Sequence, residues 1–158
     1  MARDVFAGRF TAQLDRPVVV FAIGMRINNV FDLRRWWFVV RQMPPMLADL
    51  LTHREKGPLH FETFFSLRGV TQLQYWSSYD ALERFARNPD DPHLDSWRAF
   101  NRVVGTHPSA GIWHETYTIA PGQFEGVYAN MPRFGMAAAT EHVPVRAGRE
   151  SAKERLRA

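Results

Sequence analysis

The chain of 158 residues contains no cysteine. That one absence excludes disulfides, thiolate nucleophiles, iron–sulfur clusters and every Cys-ligated zinc site. Glycine-rich loops are also missing: Gly8 and Gly24 stand alone and Gly105 reads as a helix stop, so neither a dinucleotide nor a phosphate cradle is indicated. There is no HExxH motif, histidine cluster or calcium loop, which disfavours non-haem metal chemistry. Serine is present at Ser66, Ser77, Ser78, Ser96 and Ser109, but none occupies a nucleophile elbow, so a serine hydrolase is disfavoured. No apolar run approaches the roughly 20 residues needed to cross a bilayer. The N-terminal stretch lacks the apolar core and cleavage site of a secretory signal. A soluble cytoplasmic protein without membrane contact is therefore expected.

Net charge is scarce on the body of the chain. The formal balance is +4, from 20 Lys and Arg against 16 Asp and Glu. Residues 145–158 hold five basic and two acidic groups, which leaves only +1 for residues 1–144. Nucleic-acid recognition needs cations clustered on the folded body, so such a partner is not expected.

What the sequence does have is apolar bulk: 46% apolar residues, with 12 Phe, 5 Trp and 4 Tyr. That suffices for one core. Residues 1–16 read as an arm, 17–144 as the domain and 145–158 as a basic tail. After Pro17 the run VVVFAIGMRI is dense in β-branched residues and reads as a strand buried on both faces. A helical stretch from Leu33 follows, divided by Pro44 and Pro45. LHFETFFSL and VTQLQYW, joined across Arg68 and Gly69, read as a hairpin. Two helical pieces come next, the first capped by Ser77 or Ser78 and the second opening at Asp91-Pro92. GIWHETYTI supplies another strand, with QFEGVYAN as its hairpin partner.

This order contains β-α-β-β-α-β, the arrangement of a ferredoxin-like α+β fold: an antiparallel sheet with helices on one face. The uncovered face predicts a homodimer in which two sheets close into a dimeric α+β barrel.

Six histidines are candidates for chemistry. His93 shares a helical stripe with Trp97, Phe100 and Val104, so it is expected to face the interior. His114 alternates with Thr116 on one face of its strand, opposite Trp113, Glu115 and Tyr117. An imidazole there can exchange a proton with a bound substrate, and a cross-strand hydrogen bond explains it equally well. His60 alternates with Glu62 but lacks a third ligand. Arg84, Arg87, Arg98 and Arg102 lie on the helices beside or containing His93; they read either as solvated helix faces or as partners for an anionic ligand.

Tyr75-Trp76, His93 with Trp97 and Phe100, GIWHETY and YANMP carry a resemblance. The stretch from about Val18 to Pro144 resembles a family of monooxygenase-like proteins of the dimeric α+β barrel architecture. The same region is similar to the C-terminal half of haem-containing aldoxime dehydratases. That similarity implies haem b as cofactor, with His93 as axial iron ligand and His114 as distal acid/base. With haem at His93, Trp97 on the same stripe is expected to bind the cofactor, and Arg84, Arg87, Arg98 and Arg102 on the helices beside or containing His93 are expected to reach its propionates. The implied function is a haem enzyme, of lyase or monooxygenase chemistry, acting on a small hydrophobic substrate. The alternatives are a monooxygenase that is cofactor-independent or oxygen-dependent, and a noncatalytic dimer that binds small molecules.

Overall fold

The computed structural model describes residues 4–33, 37, 41, 54–88, 98, 102, 105 and 107–157. Strand β1 is Phe6–Gln13, β2 Val18–Ile27, β3 Pro58–Ser66, β4 Gly69–Trp76, β5 Ala110–Ile119, β6 Tyr128–Met131 and β7 Glu141–Pro144. Helix α1 is Tyr79–Arg87, α2 Met136–Ala139 and α3 Ala152–Arg157. The main sheet runs β3-β4-β2-β5 and a smaller sheet runs β6-β1-β7. All of their pairings are antiparallel.

The strand order of the main sheet is the ferredoxin-like one, because β2 lies between the third and fourth strands of its unit. The expected hairpin is present, with Ser66 opposite Gly69. β2 is buried on both faces, as its composition demands: the consecutive residues Val18 and Val19 are 0% and 2% exposed although they point opposite ways. Ser78 is the residue that caps α1, its hydroxyl accepting from the Ala81 amide at 3.1 Å. Leu33, Trp37, Arg98 and Arg102 are helical. Gly105 has a φ of +53°, as a helix-ending glycine should. The proline break at Pro44 and Pro45 and the helix start at Asp91 lie outside the described residues.

Two expectations need correction. Among the described residues the sheet does not close into a barrel: it is open, with β3 and β5 as its edges, so the dimeric α+β barrel does not describe this architecture. The segment QFEGVYAN is not a hairpin partner of β5; its last three residues open β6, Tyr128–Met131, which pairs with β1 instead. The reason is that residues 1–16, read from sequence as an arm, contain a strand. That strand recruits both β6 and β7.

The main sheet therefore has two differently covered faces. Val19, Trp76, Phe21 and Phe61 pack with Ala81, Leu82 and Phe85 of α1 on the helical face. Val18, Tyr75, Leu59, Leu73 and Ile119 pack on the second face with Ala12, Tyr128, Met136 and Ala137 from the smaller sheet and α2. At the far end of the chain, α3 is tied back by Arg155, whose guanidinium meets the Glu125 carboxylate at 2.5 Å.

Candidate functional site

Residues directly opposite one another in an antiparallel sheet share a face. On the helical face, one such row runs Thr63, Gln72, Ile23 and His114 across all four strands. The neighbouring row is Phe61, Gln74, Phe21 and Thr116. The alternation expected for β5 is correct, and His114 does stand beside Thr116 on this face. The His114 ring lies 5.5 Å from that of Phe21, centroid to centroid.

Exposure changes along the His114 row. Gln72 is 4% exposed, Ile23 is half-buried and His114 is exposed. The row is thus dry at β4 and opens toward β5.

The dry end is polar. Trp76 donates its indole N–H to Gln74 Oε1 at 3.1 Å. Gln74 donates in turn to Gln72 Oε1 at 3.0 Å, and Gln72 Nε2 lies 3.5 Å from Thr63 Oγ1. Two buried amides survive on an apolar face because each passes its hydrogen bond to the next. These glutamines were not singled out from the sequence. The signal was available in QLQYW, where period-two alternation places both amides on the face of the tryptophan.

The second face carries another polar group. His60 Nε2 contacts Glu62 Oε1 at 2.7 Å, so the pair suggested by their spacing is real. The buried Tyr75 phenol is pushed up to about 12, by desolvation first and then by the charges of Tyr128 and Glu62. Tyr128 is also raised by burial, although backbone N–H groups of Ala137 and Met136 bond its oxygen and pull the other way. His142 stacks on Phe10 at 4.4 Å between ring centroids. Its Nε2 is buried without a partner among the described residues, and burial followed by the Arg133 charge holds its pKa below the usual imidazole value.

A third cluster brings together residues far apart in sequence. Ser109 Oγ donates to Asp32 Oδ2 at 2.5 Å and lies 2.8 Å from His107 Nδ1. The carboxylate bonds the serine directly and stands 3.9 Å from His107 Nδ1, beyond hydrogen-bond reach, and Ser109 is 1% exposed. This is an anchor for the turn after β2, not a hydrolytic triad. Asn28 and Asn29 both donate backbone N–H bonds to the Ser109 carbonyl in support of it.

The arginines do not assemble a cofactor cradle. α1 buries Ala81, Leu82 and Phe85, whereas Arg84 and Arg87 are exposed. Arg87 pairs with Glu83 at 2.8 Å. Arg84 borders a cleft of about 130 Å³ with Glu55, Lys56, Phe85 and Asn88, none of which belongs to the His114 row. Arg98 and Arg102 are exposed as well. His93 and Trp97 lie outside the described residues. Among the described residues, no group of three or more His, Asp or Glu could hold a metal ion. The expectation of haem b is therefore corrected: the described residues do not form a site for it. Among the described residues, no helix is long and apolar enough to cross a membrane.

Comparison with known proteins gives a consistent picture. The family described as Monooxygenase af470-like matches residues 18–136. A curated relative, Monooxygenase af470 of Aspergillus fumigatus, is 26% identical over 149 residues, covering 80% of this chain and 52% of the relative. The chain thus spans about half the length of that relative. Among solved structures, an aldoxime dehydratase (OxdRE) in complex with butyraldoxime has a TM-score of 0.51 at 13% identity, covering 85% of this chain and 44% of the other. SnoaB, a cofactor-independent oxygenase from Streptomyces nogalater, has a TM-score of 0.41 at 13% identity, covering 63% and 90%. The dehydratase likeness is one of fold.

Proposed function

The chain belongs to the Monooxygenase af470-like family, and from that premise we propose that it oxygenates a small hydrophobic substrate on the helical face of the main sheet, with His114 as acid/base. The observation that carries this reading is the row Thr63, Gln72, Ile23 and His114. It sets an exposed imidazole and a buried amide on either side of an aliphatic residue, beside Phe21. An apolar surface with a few convergent polar groups is what a small organic substrate needs.

The proposed reaction takes its electrons from the substrate and needs no further reductant. His114 removes a proton from an activated CH₂ group, one flanked by a carbonyl or an aromatic ring. The resulting carbanion passes one electron to O₂, and the two radicals combine at that carbon. The hydroperoxide, reprotonated by His114, loses water to leave a carbonyl. The sum is R₂CH₂ + O₂ → R₂CO + H₂O, balanced in atoms and electrons. The protein supplies orientation, proton transfer and exclusion of water.

The exposed stripe of Trp113 and Tyr117 on β5, 41% and 50% exposed, is the surface we assign to a second copy of the chain. A size measurement in solution that finds only monomer removes this part of the proposal.

Oxygen consumption is the direct test of the chemistry. With an anthrone-like substrate, His114→Ala should lower kcat by about 10²–10⁴-fold, the usual worth of a positioned acid/base. Loss of less than threefold would remove His114 from the mechanism.

A further inference from the structure

The strands of the main sheet are closed at one end and apolar at the other. Where β2 begins, Val18 and Trp76 are 0% exposed. Where β2 leaves the sheet, Phe31 is 90% exposed, Phe65 84% and Leu67 105%, with Leu33 at 61%. The turns that carry them adjoin: Leu67 and Arg68 form the β3–β4 turn, and the Ile27 amide of β2 donates to the Arg68 carbonyl at 2.6 Å. Gly69 permits this approach, since an added Cβ would collide with the Met25 carbonyl. Two nearly bare phenylalanines and a leucine offer roughly 500 Å² of apolar surface, as much as the largest patch of an ordinary monomer.

Hydrogen bonds hold these side chains outward. Asn29 Oδ1 accepts from the Phe31 amide at 3.0 Å, and the Asp32 amide donates to the Asn29 carbonyl at 3.4 Å. The amides of Asn28 and Asn29 donate to the Ser109 carbonyl, and the Ser109 hydroxyl donates to Asp32 Oδ2 at 2.5 Å. On the other turn, the Ser66 hydroxyl donates to the Gly69 carbonyl at 3.2 Å. Phe31 is thus fixed on both sides while its ring faces solvent, so the ordering cost of presenting it is met before any partner arrives.

The charge at this end has one sign. Arg26 and Arg68 are exposed, and over residues 26–33 and 64–70 the sole acid is Asp32, which is half-buried and bonded to Ser109. Apolar side chains flanked by cations complement a bilayer interface with anionic head groups. A second copy fits worse, because a two-fold contact would bring these arginines against their own kind. The expectation of no membrane contact rests on the lack of a spanning run, and a surface contact needs none.

We propose that this end of the sheet seats on an anionic membrane surface, with Phe31, Phe65 and Leu67 entering the head-group region and Arg26 and Arg68 meeting the lipid anions. This goes beyond the proposed reaction and stands without it. Phe65 lies in the row Phe65, Val70, Met25 and Ile112, next to the His114 row on the same face, so the seated end is the one adjoining the proposed chemistry.

The test is co-sedimentation of the full chain with vesicles of phosphatidylcholine carrying roughly 30% phosphatidylserine. The wild type should bind them, less tightly as salt is added, and should bind pure phosphatidylcholine about tenfold more weakly. Phe31→Ser and Leu67→Ser should each lower the affinity about tenfold, the worth of one large apolar side chain, and leave thermal unfolding unchanged. Arg26→Gln combined with Arg68→Gln should lower it by about as much. Because the chain has no thiol, Leu67→Cys takes a single polarity-sensitive fluorophore, whose emission should move to shorter wavelength on the vesicles. The same label at Asp15→Cys, an exposed position between β1 and β2 at the opposite end, should not shift. Three outcomes overturn the proposal: no sedimentation with the mixed vesicles, unchanged affinity in both serine variants, which would hand binding to the basic residues of 145–157, or equal shifts at the two labels. The first of these, together with self-association that the serine variants abolish, gives this end to a second copy instead.

Discussion

The two faces of the main sheet are built from the same four strands and solve the burial of polar groups in different ways. On the helical face, Trp76, Gln74 and Gln72 form a line of hydrogen bonds along one strand. On the second face, Tyr75, one residue from Trp76, stands beside Glu62 and Tyr128 and stays protonated because burial and their charges oppose its ionisation. The first arrangement ends at Thr63, in the row that also carries the exposed His114. The second packs Val18, Tyr75, Leu73 and Ile119 against the smaller sheet and α2, while Trp113 and Tyr117 on β5 stay exposed. The chemistry proposed above lies on the helical face, and the second face contributes cohesion.

Substitutions can break this contrast in order of severity. Trp76→Ala should cost the most, about 3–5 kcal/mol, because it opens a cavity and strands the Gln74 acceptor together. Urea denaturation measures it, and a loss below about 1 kcal/mol would show that the face does not depend on its indole.

The second face should announce itself at alkaline pH. Tyr75 has a folded value of about 12 against an ordinary 10.0, so the unfolded chain releases its proton first. Stability is complete below pH 10 and falls as pH rises toward 12, by on the order of 2 kcal/mol. Denaturation series at several pH values should show that decline, and Tyr75→Phe should remove its Tyr75 share.

Gly135→Ala probes the same region sterically. Gly135 has a φ of +56°, and an added Cβ would lie 3.0 Å from the Tyr75 hydroxyl. About 1–2 kcal/mol should be lost on the backbone conformation alone. Thermal unfolding would report it, and a neutral effect would mean that the α2 entrance yields easily.

The smallest effect is expected back on the helical face. Ser78→Ala removes the side-chain cap from the Ala81 amide and should cost about 1 kcal/mol. Chemical denaturation of this variant calibrates how tightly α1 is held against Val19 and Trp76.

Much of this could be anticipated from local pattern. The β-branched run of β2, the β3–β4 hairpin, the serine cap of α1 and the alternation that puts His114 with Thr116 each depend on neighbours within a few positions. So did the closeness of His60 and Glu62, two residues apart on one strand. The failures have a common cause, which is distance along the chain. Ser109 meets Asp32 across 77 positions, and no spacing rule reaches that far. Phe6–Gln13 was read as an arm because isolated apolar groups among charges carry no strand signal until β6 and β7 arrive to pair with them. The arginines were gathered around a cofactor by their place on the helices beside His93, but α1 turns Arg84 and Arg87 outward because Ala81, Leu82 and Phe85 must face the core.

By itself, the sequence determined that these 158 residues carry no thiol and which strand order makes a ferredoxin-like sheet, since composition and period-two patterning are properties of the chain. Only the tertiary structure decided that the sheet stays open, that the smaller sheet and α2 pack on its second face, and that the β4 amides point one way. Those outcomes depend on cross-strand register and on which distant group occupies each buried acceptor, and neither is encoded within a single segment.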